Sequence, residues 1–273
     1  MSRGDKISIK TPQQLELMAE AGRIAAECHQ IMRDMIKPGV TTRAVDRACE
    51  DHIRKQGAIP AFQGVLAPGA KFEFPGTICA SVNDEIVHGL PSDRVLKEGD
   101  IFKGDIGVIV DGWYSDAAIT VPVGKVSDDA QRLIDVTREA LRRAISLVKP
   151  GVKLRAIAAA VQDYVEGEQG MFCVKEFVGH GLGRSLWEPP QVPNYVPKNA
   201  RELDRRLEVG WVLAIEPMVN LGTELTRRGD DSWTILTHDG SLSAHFEHDV
   251  AVVEGGHRVL SVLKGAPNVF AMA

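Results

Sequence analysis

Lys103 to Thr120 reads KGDIGVIVDGWYSDAAIT, two alternating, β-branched runs on either side of Asp111-Gly112. A dipeptide of that type between two such runs predicts a hairpin closed by a two-residue type I′ turn, because both loop positions need positive φ. With those two residues as the loop, Asp105 pairs with Ala118 and Asp116 with Gly107. Both carboxylates then lie on one face of the ladder, on diagonal positions roughly 7–8 Å apart at Cβ. Two acids reaching inward across such a gap can hold metal ions about 3.5–4 Å apart. The plain alternative is a solvent-facing sheet carrying ordinary surface acids.

The chain has 273 residues, 44% hydrophobic and 25% charged, the make-up of a soluble globular protein built as one large domain or two fused halves. A net charge of −5, with no long Lys/Arg run, argues against a nucleic-acid binder. Cys28, Cys49, Cys79 and Cys173 show no CxxC spacing, and MSRGDKISIK at the N-terminus has neither an apolar h-region nor a cleavage site. Reduced thiols and a cytoplasmic location are therefore expected. No apolar run approaches the ~18 residues needed to span a bilayer, so no membrane role is expected.

Outward from the hairpin, the flanking segments come in a repeated order. Thr11-Pro12-Gln13-Gln14 reads as a capping box opening a helix from about 12 to 36, stopped by Lys37-Pro38-Gly39-Val40. Thr41 or Thr42 caps a second helix carrying Ala44, Val45, Ala48, Cys49 and His52 and ending at Gln56-Gly57. Irregular chain follows to about residue 76, then Thr77–Val87 reads as strand, turn, strand leading into His88. Beyond the hairpin, a helix from about 128 to 148 ends in Lys149-Pro150-Gly151-Val152, the same four letters as residues 37–40 and 112 positions later. A further helix ends at Gln169-Gly170, His180-Gly181-Leu182 echoes His88-Gly89-Leu90, and Leu207–Gly210 echoes Leu96–Gly99 at an offset of 111. The order predicts an internal duplication within a single domain spanning 1–273. Two similar α+β halves, about 12–122 and 128–253, would pack about a pseudo-twofold axis, with Glu216 placed on Asp105.

The second half supplies further acids. Trp211–Glu216 (WVLAIE) is an apolar strand that ends in a glutamate before Pro217, where a ladder must stop. That carboxylate is costly to bury unless paired or metal-bound. Ser243–Val253 (SAHFEHDVAVV) places Glu247 mid-strand, with His245 on its face and His248 on the other. His180 lies in GHGLGR, whose glycines allow the backbone to approach a ligand closely. Four carboxylates and one imidazole suit a bridged pair of Mn, Fe, Co or Zn ions better than a structural zinc site, which favours thiolates. A two-metal hydrolase follows. His29, His52, His238 and His257 read as surface or core histidines, Cys79 as a buried small hydrophobe, and Arg142-Arg143 and Arg205-Arg206 as solvated faces.

GDIGVIVDGWYSDAAIT, GHGLGR, AIEPMV and SLSAHFEHDVAV together resemble the four metal-binding motifs of the methionine aminopeptidases, the pita-bread metallopeptidases, over about residues 11–255. The 31-residue gap from Glu216 to Glu247 and the short lead into the first helix resemble the bacterial type I form. The resemblance implies an α+β pita-bread fold around a central dinuclear site. Its ligands would be Asp105, Asp116, His180, Glu216 and Glu247, with His88 the catalytic histidine outside the metal shell. Phe74 and Cys79 would line the methionine side-chain pocket, and Asn83 and Ser243 would lie near a monovalent cation site. The implied reaction removes the N-terminal methionine of nascent proteins and peptides with a small second residue. A hydroxide bridging two divalent ions would attack the first carbonyl, Glu216 would shuttle the proton, and His88 would hydrogen-bond the scissile amide. One metal would hold the free α-amine, and ribosome association would suit nascent substrates. Trp187 stands where the type I pattern has a second histidine contacting the substrate backbone. Two other readings are a related pita-bread peptidase acting on X-Pro bonds and a pita-bread binding protein with weak catalysis.

Overall fold

The computed structural model describes residues 6–265, so the first five residues of the N-terminal segment lie outside the described part. Helix α1 (Pro12–Met35) starts at the capping box, with the Thr11 hydroxyl accepting from the Gln14 N–H at 3.3 Å and the Gln14 side chain accepting from the Thr11 N–H at 2.9 Å. Helix α2 (Thr42–Lys55) is capped by Thr41. Its inner face is Val45, Asp46, Cys49 and Ile53, whereas Ala44 is exposed. The face is rotated from the expected one because the Asp46 carboxylate turns inward to accept the N–H groups of Thr77 and Ile78, at 2.7 and 3.0 Å.

Strands β1 (Ile59–Pro60), β2 (Ile78–Val82), β3 (Glu85–Val87), β4 (Ile101–Val110) and β5 (Trp113–Pro122) complete the first half. Helix α3 (Asp128–Ser146) and helix α4 (Leu154–Gln162), which runs on through a π-helical turn at Asp163–Glu168, open the second. Then come β6 (Phe172–Cys173), β7 (Gly179–Gly181), β8 (Glu188–Val192), β9 (Val212–Ile215), β10 (Met218–Asn220), β11 (Thr226–Arg228), β12 (Ile235–Thr237), β13 (Ser243–His245), β14 (His248–Val253) and β15 (Gly256–Val259).

The β4–β5 hairpin has the expected register, Asp105 opposite Ala118 and Gly107 opposite Asp116, and φ is 50° at Asp111 and 75° at Gly112. Strand β4 is the centre of one antiparallel sheet with β1, β2 and β5; a second sheet runs β15-β14-β9-β7-β8, and two smaller ones run β13-β10-β6 and β11-β12-β3. Helix α1 lies across β4 and β5, and α3 across β13 and β10. Close approach of α1 requires glycine at 104, where a Cβ would lie 2.3 Å from the Met32 sulfur. Side chains alternate across a strand, so Asp105 points away from that helix layer into the space between the sheets. This is the mixed helix and antiparallel-sheet architecture of the pita-bread fold.

One strand is broken where the sequence suggested continuity. Ser243–Val253 is two strands, β13 and β14, interrupted at Phe246-Glu247 because β13 pairs with β10 and β14 with β9. Glu247 sits at this change of sheet and exchanges backbone hydrogen bonds with Ala118 of β5, at 2.9 and 3.4 Å.

The two KPGV stops make equivalent contacts. The Gly39 N–H donates to Leu96 O at 2.9 Å and the Leu96 N–H to Val40 O at 2.8 Å; the Gly151 N–H donates to Leu207 O at 2.8 Å and the Leu207 N–H to Val152 O at 2.8 Å. Bridges Thr41–Val95 and Lys153–Arg206 correspond in the same way.

Candidate metal centre

Five chain segments deliver the candidate ligands to one cavity of about 470 Å³. Asp105 and Asp116 come from β4 and β5. His180 lies on β7 opposite Ala214 of β9, and Glu216, two residues further along the chain, follows the end of β9. Glu247 comes from the junction of β13 and β14. The solvent-facing alternative for the hairpin acids is overturned: Asp116 is 5% exposed and Asp105 has a buried carboxylate oxygen. Asp116, His180 and Glu247 each offer a ligand atom within 4.8 Å of the others. The His180 Nε2 is 3.6 Å from Glu216 Oε1 and 3.9 Å from Asp116 Oδ2. Its Nδ1 is 2.9 Å from the Gly181 carbonyl. Donation to that carbonyl assigns the proton to Nδ1 and leaves the Nε2 lone pair facing the carboxylates.

The electrostatics of this cluster call for cations. Burial, reinforced by the neighbouring carboxylates, raises Asp116, Glu216 and Glu247 well above the ordinary carboxylate range. Burial also pushes Asp105 up to about 7. The His180 imidazole is pushed down to about 4 by burial, so it is neutral and a competent ligand at neutral pH. Among the described residues, the ion-pair partners of Asp116, Glu216 and Glu247 are histidines, never lysine or arginine. Asp105 Oδ1, Asp116 Oδ1 and Glu247 Oε1 are buried with no hydrogen-bond partner. Buried charges are stable only when paired or metal-bound, and four carboxylates with an imidazole form a donor set for divalent ions. The residues therefore fit a divalent metal centre.

Two neighbours of the cluster carried no role in the sequence. Asp249 is fully buried; its Oδ2 accepts from the Ser115 hydroxyl at 2.5 Å and from the Asp116 N–H at 2.8 Å. Burial pushes it up to about 7. It holds the backbone that presents Asp116, and an acid inside the apolar run of β14 was the available sign. His245 had no assigned role, yet its Nε2 lies 3.8 Å from Glu216 Oε2 and 4.0 Å from Glu247 Oε2, and burial pushes it down to about 3.

His88 lines the same cavity and packs edge-on to Phe177 and Trp233, ring centroids 5.6 and 6.3 Å away. Burial pushes its imidazole down to about 4. Phe74 and Cys79 line the cavity within an apolar cluster that also contains Phe62, Leu186 and Trp233. Of these, Phe62, Leu186 and Trp233 were missed, since the irregular chain around them carries no periodic signal. Trp187 lines the cavity while remaining 51% exposed. Asn83 and Ser243 lie outside this lining; their carbonyl oxygens both accept from the Lys103 ammonium. Gly179 and Gly181 of GHGLGR are required by close strand packing: a Cβ at Gly179 would lie 2.3 Å from Ala214 O, and one at Gly181 2.3 Å from Pro189 O.

A pita-bread fold enclosing a buried centre of carboxylates and imidazole defines a class of metallopeptidases, and the chain belongs to metallopeptidase family M24, whose model matches residues 16–254. Within that family it is 48% identical over 255 residues to methionine aminopeptidase 1 of Bacillus subtilis, covering 93% of this chain and 99% of that protein. The crystal structure of methionine aminopeptidase from Thermotoga maritima matches with a TM-score of 0.88 at 40% identity, covering 94% of this chain and all of that one. Prolidase from Pyrococcus furiosus shares the fold at 22% identity, with a TM-score of 0.72 over 93% of this chain and 65% of that one.

Proposed function

We propose that this metal-dependent aminopeptidase removes the N-terminal methionine from peptides and nascent proteins whose second residue is small, with Asp105, Asp116, His180, Glu216 and Glu247 as the ligands of two divalent ions. The observation that carries the reading is the set of buried carboxylates that, among the described residues, have no lysine or arginine as ion-pair partner, in a chain 48% identical to a methionine aminopeptidase along nearly its whole length. The donor set suits Mn, Fe, Co or Zn. Bound ions supply Lewis acidity and a nucleophile available at neutral pH.

The remaining work falls to the chain's own residues. Glu216, with one oxygen toward His180 and the other toward His245, takes and returns the proton during hydrolysis. His88, neutral at physiological pH, donates a hydrogen bond to the scissile amide as charge develops there. Phe74 and Cys79, with Phe62 and Trp233 beside them, receive the methionine side chain, whose thioether packs favourably against aromatic rings. Trp187 at the rim limits the second residue. Action on nascent chains would place the enzyme in the cytoplasm and near the ribosome. The X-Pro reading is not favoured, because the likeness to prolidase at 22% identity extends to the fold alone, and the binding-protein reading leaves the buried ligand set without a use.

The test is selectivity. The metal-loaded protein should cleave Met-Ala-Ser rapidly and leave Ala-Pro and other Xaa-Pro dipeptides without an N-terminal methionine intact; preferential cleavage of Xaa-Pro would overturn the assignment.

A further inference from the structure

A lysine ammonium occupies the place where a monovalent cation was expected. Lys103, on β4 and two residues before Asp105, is 1% exposed. Its Nζ donates to the main-chain carbonyl of Asn83 at 2.7 Å and to that of Ser243 at 2.8 Å. The Asn83 side chain is otherwise engaged, accepting from the Ile101 N–H at 3.0 Å and donating to Asp100 at 2.9 Å, so its carbonyl is what it presents to the cation. Among the described residues, no carboxylate comes within 4 Å of the ammonium as an ion-pair partner. Burial pushes Lys103 down to about 7, opposed by the longer-range charges of Glu85, Asp84 and Asp100; the two main-chain carbonyls accepting from its Nζ favour the charged form.

Convergent main-chain carbonyls with no carboxylate in contact are the coordination chemistry of an alkali-metal ion, whose hydration shell such oxygens replace. An ammonium is likewise a compact monovalent cation with no acceptor atom. Two monovalent cations sharing the same two carbonyl oxygens would repel at contact distance, so the residues present do not fit a free monovalent ion while Lys103 is there.

We propose that Lys103 is a covalently tethered substitute for a monovalent cation, which makes the metal centre's frame independent of potassium or sodium. The segments it joins are the turn between β2 and β3, whose chain continues to His88, and the start of β13, whose chain continues to Glu247. One ammonium thus fixes three strands that feed the cavity.

Thermal unfolding of the full chain at matched ionic strength in potassium, sodium or tetramethylammonium chloride tests this without reference to peptidase activity. The unsubstituted protein should unfold at the same temperature in all three salts. Lys103→Ser should unfold several degrees lower in tetramethylammonium chloride and regain much of that loss, saturably, in potassium or sodium chloride. Saturable stabilisation of the unsubstituted protein by an alkali ion would overturn the proposal, as would a folded Lys103→Ser protein indifferent to the three salts. Crystals of the unsubstituted protein soaked in rubidium supply a readout that does not depend on the variant folding. No anomalous peak should appear between the Asn83 and Ser243 carbonyls, and a peak there contradicts the substitution of ion by ammonium.

Discussion

His88 combines three properties in one residue: a left-handed backbone with φ of 60°, an imidazole pushed down to about 4 by burial, and a ring wedged between Phe177 and Trp233. A non-glycine residue held at positive φ costs about 1–3 kcal/mol, and such strain is common at functional sites. The neutral ring is a hydrogen-bond donor without being a metal ligand in our assignment. His88→Ala should therefore keep its metal and lose about 10²–10³-fold in kcat, the usual cost of removing one transition-state donor; metal content falling in step with activity would make His88 a ligand. Trp187 offers one N–H, no acceptor and no exchangeable charge, so it can replace a hydrogen bond to a carbonyl but not a proton transfer. Trp187→His should be faster and accept a larger second residue, read as kcat/KM on Met-Gly, Met-Ala, Met-Thr and Met-Val peptides. Identical profiles for both proteins would mean that this half-exposed indole plays no part in selection. At this scale the hairpin acids were legible because the two-residue Asp111-Gly112 turn fixes the register, and period-2 alternation then puts Asp105 and Asp116 on one face. Lys103 was not, since its burial depends on carbonyls 20 and 140 positions away in sequence.

Among the elements, those specified by local chemistry matched their sequence signals: the Thr11–Gln14 capping box, the Asp111-Gly112 turn, and the acid followed by proline that ends β9. The departures arise where a distant partner decides. Helix α2 turns Asp46 inward for the N–H groups of Thr77 and Ile78, and β13 and β14 separate because each belongs to a different sheet. Strand β7, which carries His180, depends on glycine for its closeness to β8. A methyl group at Gly181 would meet Pro189 O at 2.3 Å, so Gly181→Ala must push β7 and β8 apart. Overpacking of this kind costs about 1–3 kcal/mol. Urea unfolding should show a lowered midpoint at unchanged slope, and a midpoint equal to that of the unsubstituted protein would show that the pair of strands yields more easily than its geometry suggests.

For the whole molecule, the repeated contacts at offsets of 111–112, from Gly39–Leu96 to Gly151–Leu207 and from Thr41–Val95 to Lys153–Arg206, support the proposal that residues 12–122 and 128–253 are duplicated halves. Each half sends carboxylates to the middle: Asp105 and Asp116 from the first, Glu216 and Glu247 from the second. Such a centre concentrates negative charge in a place shielded from water, and divalent ions are what make that arrangement useful. The most direct measurement is turnover of Met-Ala-Ser by protein stripped of metal, with metal content determined on the same samples for the unsubstituted chain, Asp116→Ala and Glu247→Ala. We predict that stripping abolishes turnover, that Mn²⁺ or Co²⁺ restores it in the unsubstituted chain, and that both variants retain little metal and little activity. Undiminished turnover by metal-free protein in excess chelator, or normal metal content in both variants, would contradict the account.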